Sequence, residues 1–207
     1  MATTIAARML RGPIASRRGS APDSIARLGP DLRYRYVNPA MARQTAVRGI
    51  LTGMELAAQA KRDGIQILGV GEMGIANSTA GTALYCSLLN LSPEQMTGPG
   101  AGANADMVRH KTEIVRKALA VNEPMLRDGD PINTLAAVGG YEIVLMAGLM
   151  LGAASRRLPV LVDGFICSAA YVAALQICPQ LADYAVLSHA SAEPGHVRAL
   201  SKLTGGE

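Results

Sequence analysis

The stretch Ile65-Gln66-Ile67-Leu68-Gly69-Val70-Gly71-Glu72-Met73-Gly74-Ile75-Ala76-Asn77-Ser78-Thr79-Ala80-Gly81 decides the fold. Ile65–Val70 is a short apolar, β-branched run, the pattern of a strand covered on both faces. A glycine-rich polar turn comes next, with Asn77, Ser78 and Thr79 placed to cap a helix. Two further runs resemble the first: LPVLVDGF (158–165), which ends in an acid and a glycine, and DYAVLSH (183–189). Helical stretches separate them. Residues 39–64 carry apolar side chains at helical spacing and stop at Gly64. Residues 105–122 are amphipathic, with Arg and Lys toward the end, as a helix dipole prefers. Residues 168–179 are apolar until Pro179. The stretch 141–154 is shorter than the roughly 20 residues of a membrane span and reads as a buried helix. Helix, strand, helix, helix, strand, helix, strand predicts an α/β fold: a parallel sheet of the doubly wound type, flanked by helices.

Composition supports a packed core. The 207 residues are 49% hydrophobic and 17% charged, with mean hydropathy +0.20, which excludes an intrinsically disordered chain. The 22 glycines and 11 prolines exclude a coiled coil. Aromatics are only 3%, with no Trp and one Phe, so base-stacking platforms are lacking. The net charge of +4 has one origin. Arg8, Arg11, Arg17, Arg18 and Arg27 face only Asp23 in the first 27 residues, and the remainder balances at 15 basic and 15 acidic side chains. The body gives no electrostatic case for nucleic acid. The arginines also interrupt any apolar leader segment, so a cytoplasmic protein is expected. Cys86, Cys167 and Cys178 lack CxxC spacing and read as small buried hydrophobes. Three histidines without HExxH spacing argue against a metal, and no cofactor is expected.

In open α/β sheets the ligand sits beyond the carboxyl ends of the strands. Three such ends are legible here. After the first strand, Glu72 can orient a hydroxyl or take a proton. The glycines, Gly74 among them, let backbone approach a ligand, and the helix start at Asn77, Ser78 and Thr79 suits a phosphate. An ordinary glycine-bearing βα turn fits the same residues. The pattern is neither Walker A nor GxGxxG. The second candidate is Thr97–Asn104, TGPGAGAN, with Gly100 and Gly102. It leads into a helix whose Lys111, about two turns in, could reach an anion; a surface loop with a solvated lysine fits too. The third comprises Asp163 at a strand end and the segment Ser188–His196, in which Ser191, Glu193 and Gly195 could close around a ligand. His189 and His196 are acid–base candidates, although lone histidines near helix starts are more often structural. A hydrolase would need Ser168 or Ser188 as nucleophile, and no GxSxG elbow is present.

Several of these segments together resemble one family. GEMGIANSTA (71–80) resembles the GEMGIGNTT signature of nicotinate-nucleotide–dimethylbenzimidazole phosphoribosyltransferases. PAM (39–41) resembles the family's PAMT segment, GPGAGAN with HKTEIVRKAL its GRGTG loop and following helix, and VGGYEI (138–143) its VGGFEI. PVLVDGFICSAA (159–170) and SHASAEPGH (188–196) resemble PVVLDGFI and SHxSxEPGH segments, and coverage runs from about residue 35 to the C-terminus. The resemblance implies transfer of phosphoribose from nicotinate mononucleotide to dimethylbenzimidazole, giving α-ribazole phosphate and nicotinate, in cobalamin lower-ligand biosynthesis. It also implies a Rossmann-like large domain, a small helical domain built from both chain ends, and a homodimer. By motif position, Glu72, Gly74, Asn77, Ser78, Thr79, Gly100, Gly102 and Lys111 would hold the mononucleotide. Asp163, Ser191, Glu193 and Gly195 would line the same cavity.

The departures set further expectations. Ala76 stands at a family glycine and Ser78 at a threonine; Pro99 and Ala101 replace an arginine and a threonine. The family's general base is a glutamate in an LGEGTG-like segment, which this sequence does not contain, and Glu207 lacks its flanking pattern. Glu72 is then the candidate base. Two domains are expected: a basic, disordered arm over 1–34, and the Rossmann-like large domain over 35–207 with the small domain largely missing. Weak or absent turnover is expected, and apolar faces left uncovered. A non-catalytic nucleotide-binding paralogue, or a partner subunit of a full-length enzyme, is the alternative.

Overall fold

The computed structural model describes residues 25–28, 34–37, 39–74, 76–100 and 102–203. Within the stretch read as a basic arm, Ile25–Leu28 (β1) pairs antiparallel with Tyr34–Val37 (β2), Ile25 opposite Val37. The arm's first 24 residues and the segment holding Glu207 lie outside the described residues, as do Ile75 and Ala101.

The three strands expected from sequence form one parallel sheet. Leu68–Val70 (β3), Val160–Val162 (β4) and Ala185–Leu187 (β5) lie in that spatial order. Val70, Val162 and Leu187 share a register. Each strand is three residues long, shorter than its apolar run, because the turns on either side take the flanking residues.

The helices are α1 (Pro39–Arg62), α2 (Ser78–Leu89), α3 (Pro93–Met96), α4 (Ala105–Val121), α5 (Glu123–Leu126), α6 (Pro131–Val138), α7 (Tyr141–Ser155), α8 (Gly164–Ile177) and α9 (Pro194–Leu203). A 3₁₀ turn spans Pro179–Asp183. Local chemistry sets most starts. Pro39 and Pro131 open α1 and α6, where a missing N–H costs nothing. Asn104 caps α4 by accepting the Met107 N–H at 2.9 Å. Asp130 caps α6 by accepting from Ile132 at 2.7 Å and Asn133 at 3.1 Å. α8 begins four residues before its expected start, directly after Asp163.

The core is built on α7 and α8, apolar on nearly all sides. Ile143, Ala147, Met150, Leu151, Val172 and Ala173 are fully buried. α1 crosses α7 backbone to backbone. A Cβ on Gly148 would stand 2.6 Å from Ile50 Cα, and one on Gly53 would stand 2.5 Å from Leu149 N. Arg43 ties α1 to the start of α6, its Nη1 donating to Asn133 at 2.5 Å and Asp130 at 3.3 Å. The three cysteines are free thiols and buried. No helix among the described residues is long and apolar enough to cross a membrane.

One expectation is corrected. The strands are covered on one face only. Val70, Val160 and Val162 are buried beneath α7 and α8, whereas Leu161 is 39% and Val186 55% exposed. Among the described residues no helix packs on that second face, so the apolar surface left uncovered includes the sheet itself.

Candidate functional site

Parallel register brings the three strand ends together, and with them the segments beyond. Glu72 lies two residues past β3, Asp163 directly after β4, and Ser188-His189 directly after β5. This is the crevice in which open α/β sheets bind ligands.

Glu72 Oε2 accepts the Gly74 N–H at 2.6 Å and a short bond from Asn77 Nδ2. That bond diverts Asn77 from capping: it stands before α2 but makes no side-chain cap bond. Helix α2 therefore starts without a side-chain cap; the Thr79 N–H is taken by the Ala76 carbonyl at 3.3 Å, and the positive dipole end is left for another acceptor. Sequence suggested that Asn77, Ser78 or Thr79 would supply that cap; the structure gives Asn77 to Glu72 and Ser78 to a lysine. The residue before the pair, Ala76, has φ +69°. That left-handed conformation is natural for the glycine the family carries there and strained for alanine.

Lys111, from α4, points at the same helix start. Its Nζ donates to Ser78 Oγ at 2.9 Å and to the Gly98 carbonyl at 3.1 Å. Burial holds the ammonium below the usual lysine range, and the Glu193 carboxylate partly opposes this. A part-buried cation with one donor left, beside a helix start without a side-chain cap, has the chemistry that suits an anion.

The glycine loop is held from the other side by the Ser191–Gly195 turn. Glu193 Oε1 accepts the Gly100 N–H at 2.7 Å, and Ser191 Oγ accepts the Glu193 N–H at 3.2 Å. Gly98 lies flush against this turn: a Cβ there would stand 2.9 Å from Pro194 Cδ. Glu193 Oε2 is buried and has no donor among the described residues. His196 fixes the turn from beneath. It is fully buried; its Nδ1 accepts the Ser191 N–H at 2.8 Å, and Nε2 lies 2.9 Å from Ser168 Oγ. With Nδ1 accepting, Nε2 carries the proton and donates to Ser168. Burial first, then the neighbouring His189, depress its pKa from 6.5.

His196, an acid–base candidate in sequence, is thus a neutral positioning residue with both nitrogens engaged. Ser168 and Ser188, the candidate nucleophiles of a hydrolase, are also committed: Ser168 to His196, and Ser188 Oγ to the Val162 carbonyl at 3.1 Å. His189 is exposed, its Nδ1 3.4 Å from Asp163 Oδ1 and 3.1 Å from Ser188 Oγ. Asp163 and Glu72 both raise the buried Cys167 thiol, after desolvation, to about 11, so both carboxylates face one locality.

One cluster of direct bonds joins Ser78 and Lys111 to the Gly98 carbonyl, and Gly100, bonded to Glu193 and through it to Ser191, follows two residues along the same loop, while Glu72, Gly74 and Asn77 form a second beside it. Gly195 packs on Met96, where a Cβ would stand 2.6 Å from the carbonyl oxygen. Gly102 lies in open space, and no bond joins Thr79 to either cluster among the described residues. Sequence reasoning missed the roles of Gly98, Ser168 and buried His196. Only the helical spacing of His196 to buried Ala199 signalled an inward-facing ring.

These features define an α/β protein whose strand-end loops and a part-buried lysine gather at the carboxyl ends of a parallel sheet, an arrangement that suits an anionic ligand. A sequence model of the family described as Phosphoribosyltransferase matches residues 24–205. The chain belongs to that family. The nicotinate-nucleotide–dimethylbenzimidazole phosphoribosyltransferase of Solidesulfovibrio magneticus is 52% identical over 165 residues, covering 80% of this chain and 47% of the relative. The enzyme of the same name from Alkaliphilus metalliredigens is 44% identical over 165 residues, with 80% and 47% covered. A crystal structure of CobT from Thermus thermophilus superposes with TM-score 0.74 at 37% identity, covering 78% of this chain and 48% of that one. The chain spans about half the length of the curated relatives it matches.

Proposed function

We propose that this chain binds nicotinate mononucleotide at the strand ends and passes its phosphoribosyl group to dimethylbenzimidazole, giving α-ribazole phosphate and nicotinate. One observation carries the reading: Lys111 and Ser78 converge on the uncapped start of α2, a seat for a 5′-phosphate. The chemistry asks for positioning more than for covalent help. The azole's bare nitrogen attacks the anomeric carbon. The bond from that carbon to the pyridinium nitrogen breaks, and nicotinate departs with the electron pair. The N–H proton of the alkylated azole goes to a carboxylate. Glu72 is our candidate acceptor: Gly74 and Asn77 hold Oε2, and Oε1 has no donor among the described residues.

The proposal includes assembly as a homodimer in the cytoplasm, with Asp163, Glu193 and Gly195 lining the cavity around the mononucleotide. Titration calorimetry with nicotinate mononucleotide tests the central point. Saturable binding is expected, and Ser78→Asp should abolish it by placing a carboxylate in the phosphate seat. Binding that survives Ser78→Asp would move the nucleotide elsewhere.

A further inference from the structure

His196 is fully buried, yet it heads a run of contacts that ends at the anion seat. Its Nε2 donates to Ser168 Oγ on α8 at 2.9 Å, which anchors the ring to the core. Its Nδ1 accepts the Ser191 N–H at 2.8 Å, and Ser191 Oγ accepts the Glu193 N–H at 3.2 Å. The His196 backbone N–H donates to the Glu193 carbonyl at 2.9 Å. Both backbone groups of Glu193 are thus fixed through His196, one by its main chain and one by way of its ring and Ser191.

The Glu193 carboxylate depends on that support. Oε1 accepts the Gly100 N–H at 2.7 Å, and Oε2 has no donor among the described residues. With one hydrogen bond at its tip, the carboxylate stands where its backbone puts it. Gly100 in turn lies directly against the seat: a Cβ there would stand 3.1 Å from Ser78 Oγ and 3.8 Å from Lys111 Nζ. Two residues earlier, the Gly98 carbonyl accepts from Lys111 Nζ at 3.1 Å. Gly100 and Gly102 have φ of +57° and +105°, and a loop of such glycines keeps one shape only while something holds it.

We propose that His196 is a positioning residue for the anion seat. Its Nδ1 lone pair sets the Ser191–Gly195 turn and, through Glu193, the glycine loop and the Lys111 ammonium. The ring meets neither ligand nor reacting atoms, and its two nitrogens divide the work. Nδ1 shapes the seat, whereas Nε2 ties the ring to α8 and contributes stability alone.

The two nitrogens can be replaced separately. In His196→Asn the amide oxygen falls where Nδ1 stands and still accepts from Ser191. In His196→Gln the amide nitrogen falls where Nε2 stands and still donates to Ser168. The readout is the Gly100 amide in a nitrogen–proton correlation spectrum of the whole chain without ligand. That signal, held downfield by its carboxylate acceptor, should keep its place in His196→Asn and move upfield in His196→Gln, although both variants melt below the parent. Calorimetry with nicotinate mononucleotide should show the same split: affinity about tenfold weaker in His196→Gln, the net worth of one hydrogen bond, and near parental in His196→Asn. A merely structural role would weaken both in step with their melting temperatures. A Gly100 signal that behaves alike in the two variants overturns the proposal. If either variant does not fold, Ser191→Ala cuts the next link, and a Gly100 signal unmoved there overturns it as well. The calorimetry rests on the reading of the seat as a nucleotide site, and the spectrum does not. A parent chain that binds no nucleotide would therefore end that reading and leave the role of His196 to be decided by the Gly100 signal.

Discussion

Gly148→Ala tests the crossing on which the whole core depends. Replacing a helical glycine by alanine ordinarily stabilises, by about 1 kcal/mol, because alanine restricts the unfolded chain and favours the helix. Here the sign should reverse. The new Cβ would stand 2.6 Å from Ile50 Cα, where ordinary contact begins at 3.4 Å. The obstacle is the backbone of α1 and cannot rotate aside, so α1 must retreat by most of an ångström. Gly53 faces Leu149 at the same crossing, and the retreat would loosen that contact also. Overpacking of this kind costs about 1–3 kcal/mol, and a backbone obstacle belongs in the upper half. Net of the propensity gain, a loss of about 1–2 kcal/mol is expected, or about 2–8 °C in Tm for a chain of this size. Thermal unfolding followed by circular dichroism, checked by urea titration, measures it. A melting temperature equal to or above the parent's would show that α1 and α7 do not meet through their backbones, and the packing argument would fail.

Lys111→Met keeps the aliphatic stem and removes the cation; affinity for nicotinate mononucleotide should fall by about 10–100-fold, the worth of one charge-assisted hydrogen bond. Calorimetry reads this directly, and unchanged affinity would take Lys111 out of the seat. Because burial lowers the Lys111 pKa from 10.5, anion binding should weaken as pH rises through that depressed value, before an exposed lysine would titrate. His196 has the opposite sense. Its folded pKa lies below 6.5, so the stability it contributes is present above 6.5 and lost as pH falls through that value toward the folded one. Urea midpoints should drop on mild acidification, and His196→Ala should remove that dependence while costing about 2–4 kcal/mol for the unpaired Ser191 N–H and Ser168 hydroxyl. Ala76→Gly should raise stability by about 1 kcal/mol by relieving the left-handed strain, and an unmoved urea midpoint would refute that strain.

The sequence alone determined the strands and the ends that bear chemistry. IQILGV, LPVLVDGF and DYAVLSH announce themselves because buried strands are continuous apolar runs, and glycine turns and helix starts punctuate their carboxyl ends. Residue order also placed Lys111 on a helix after a glycine loop. It did not say that Lys111 reaches Ser78, 33 positions away, or that Glu193 clasps Gly100 across 93, because a side chain's partner is set by how helices pack. Nor could it tell which of two neighbouring histidines is buried. His189 and His196 differ in the helix phase and in the presence of Ser168 beneath, and both are tertiary facts. The open sheet face escaped sequence for a related reason. An apolar run reports that a strand should be covered on both sides, whereas coverage is decided by which helices reach it.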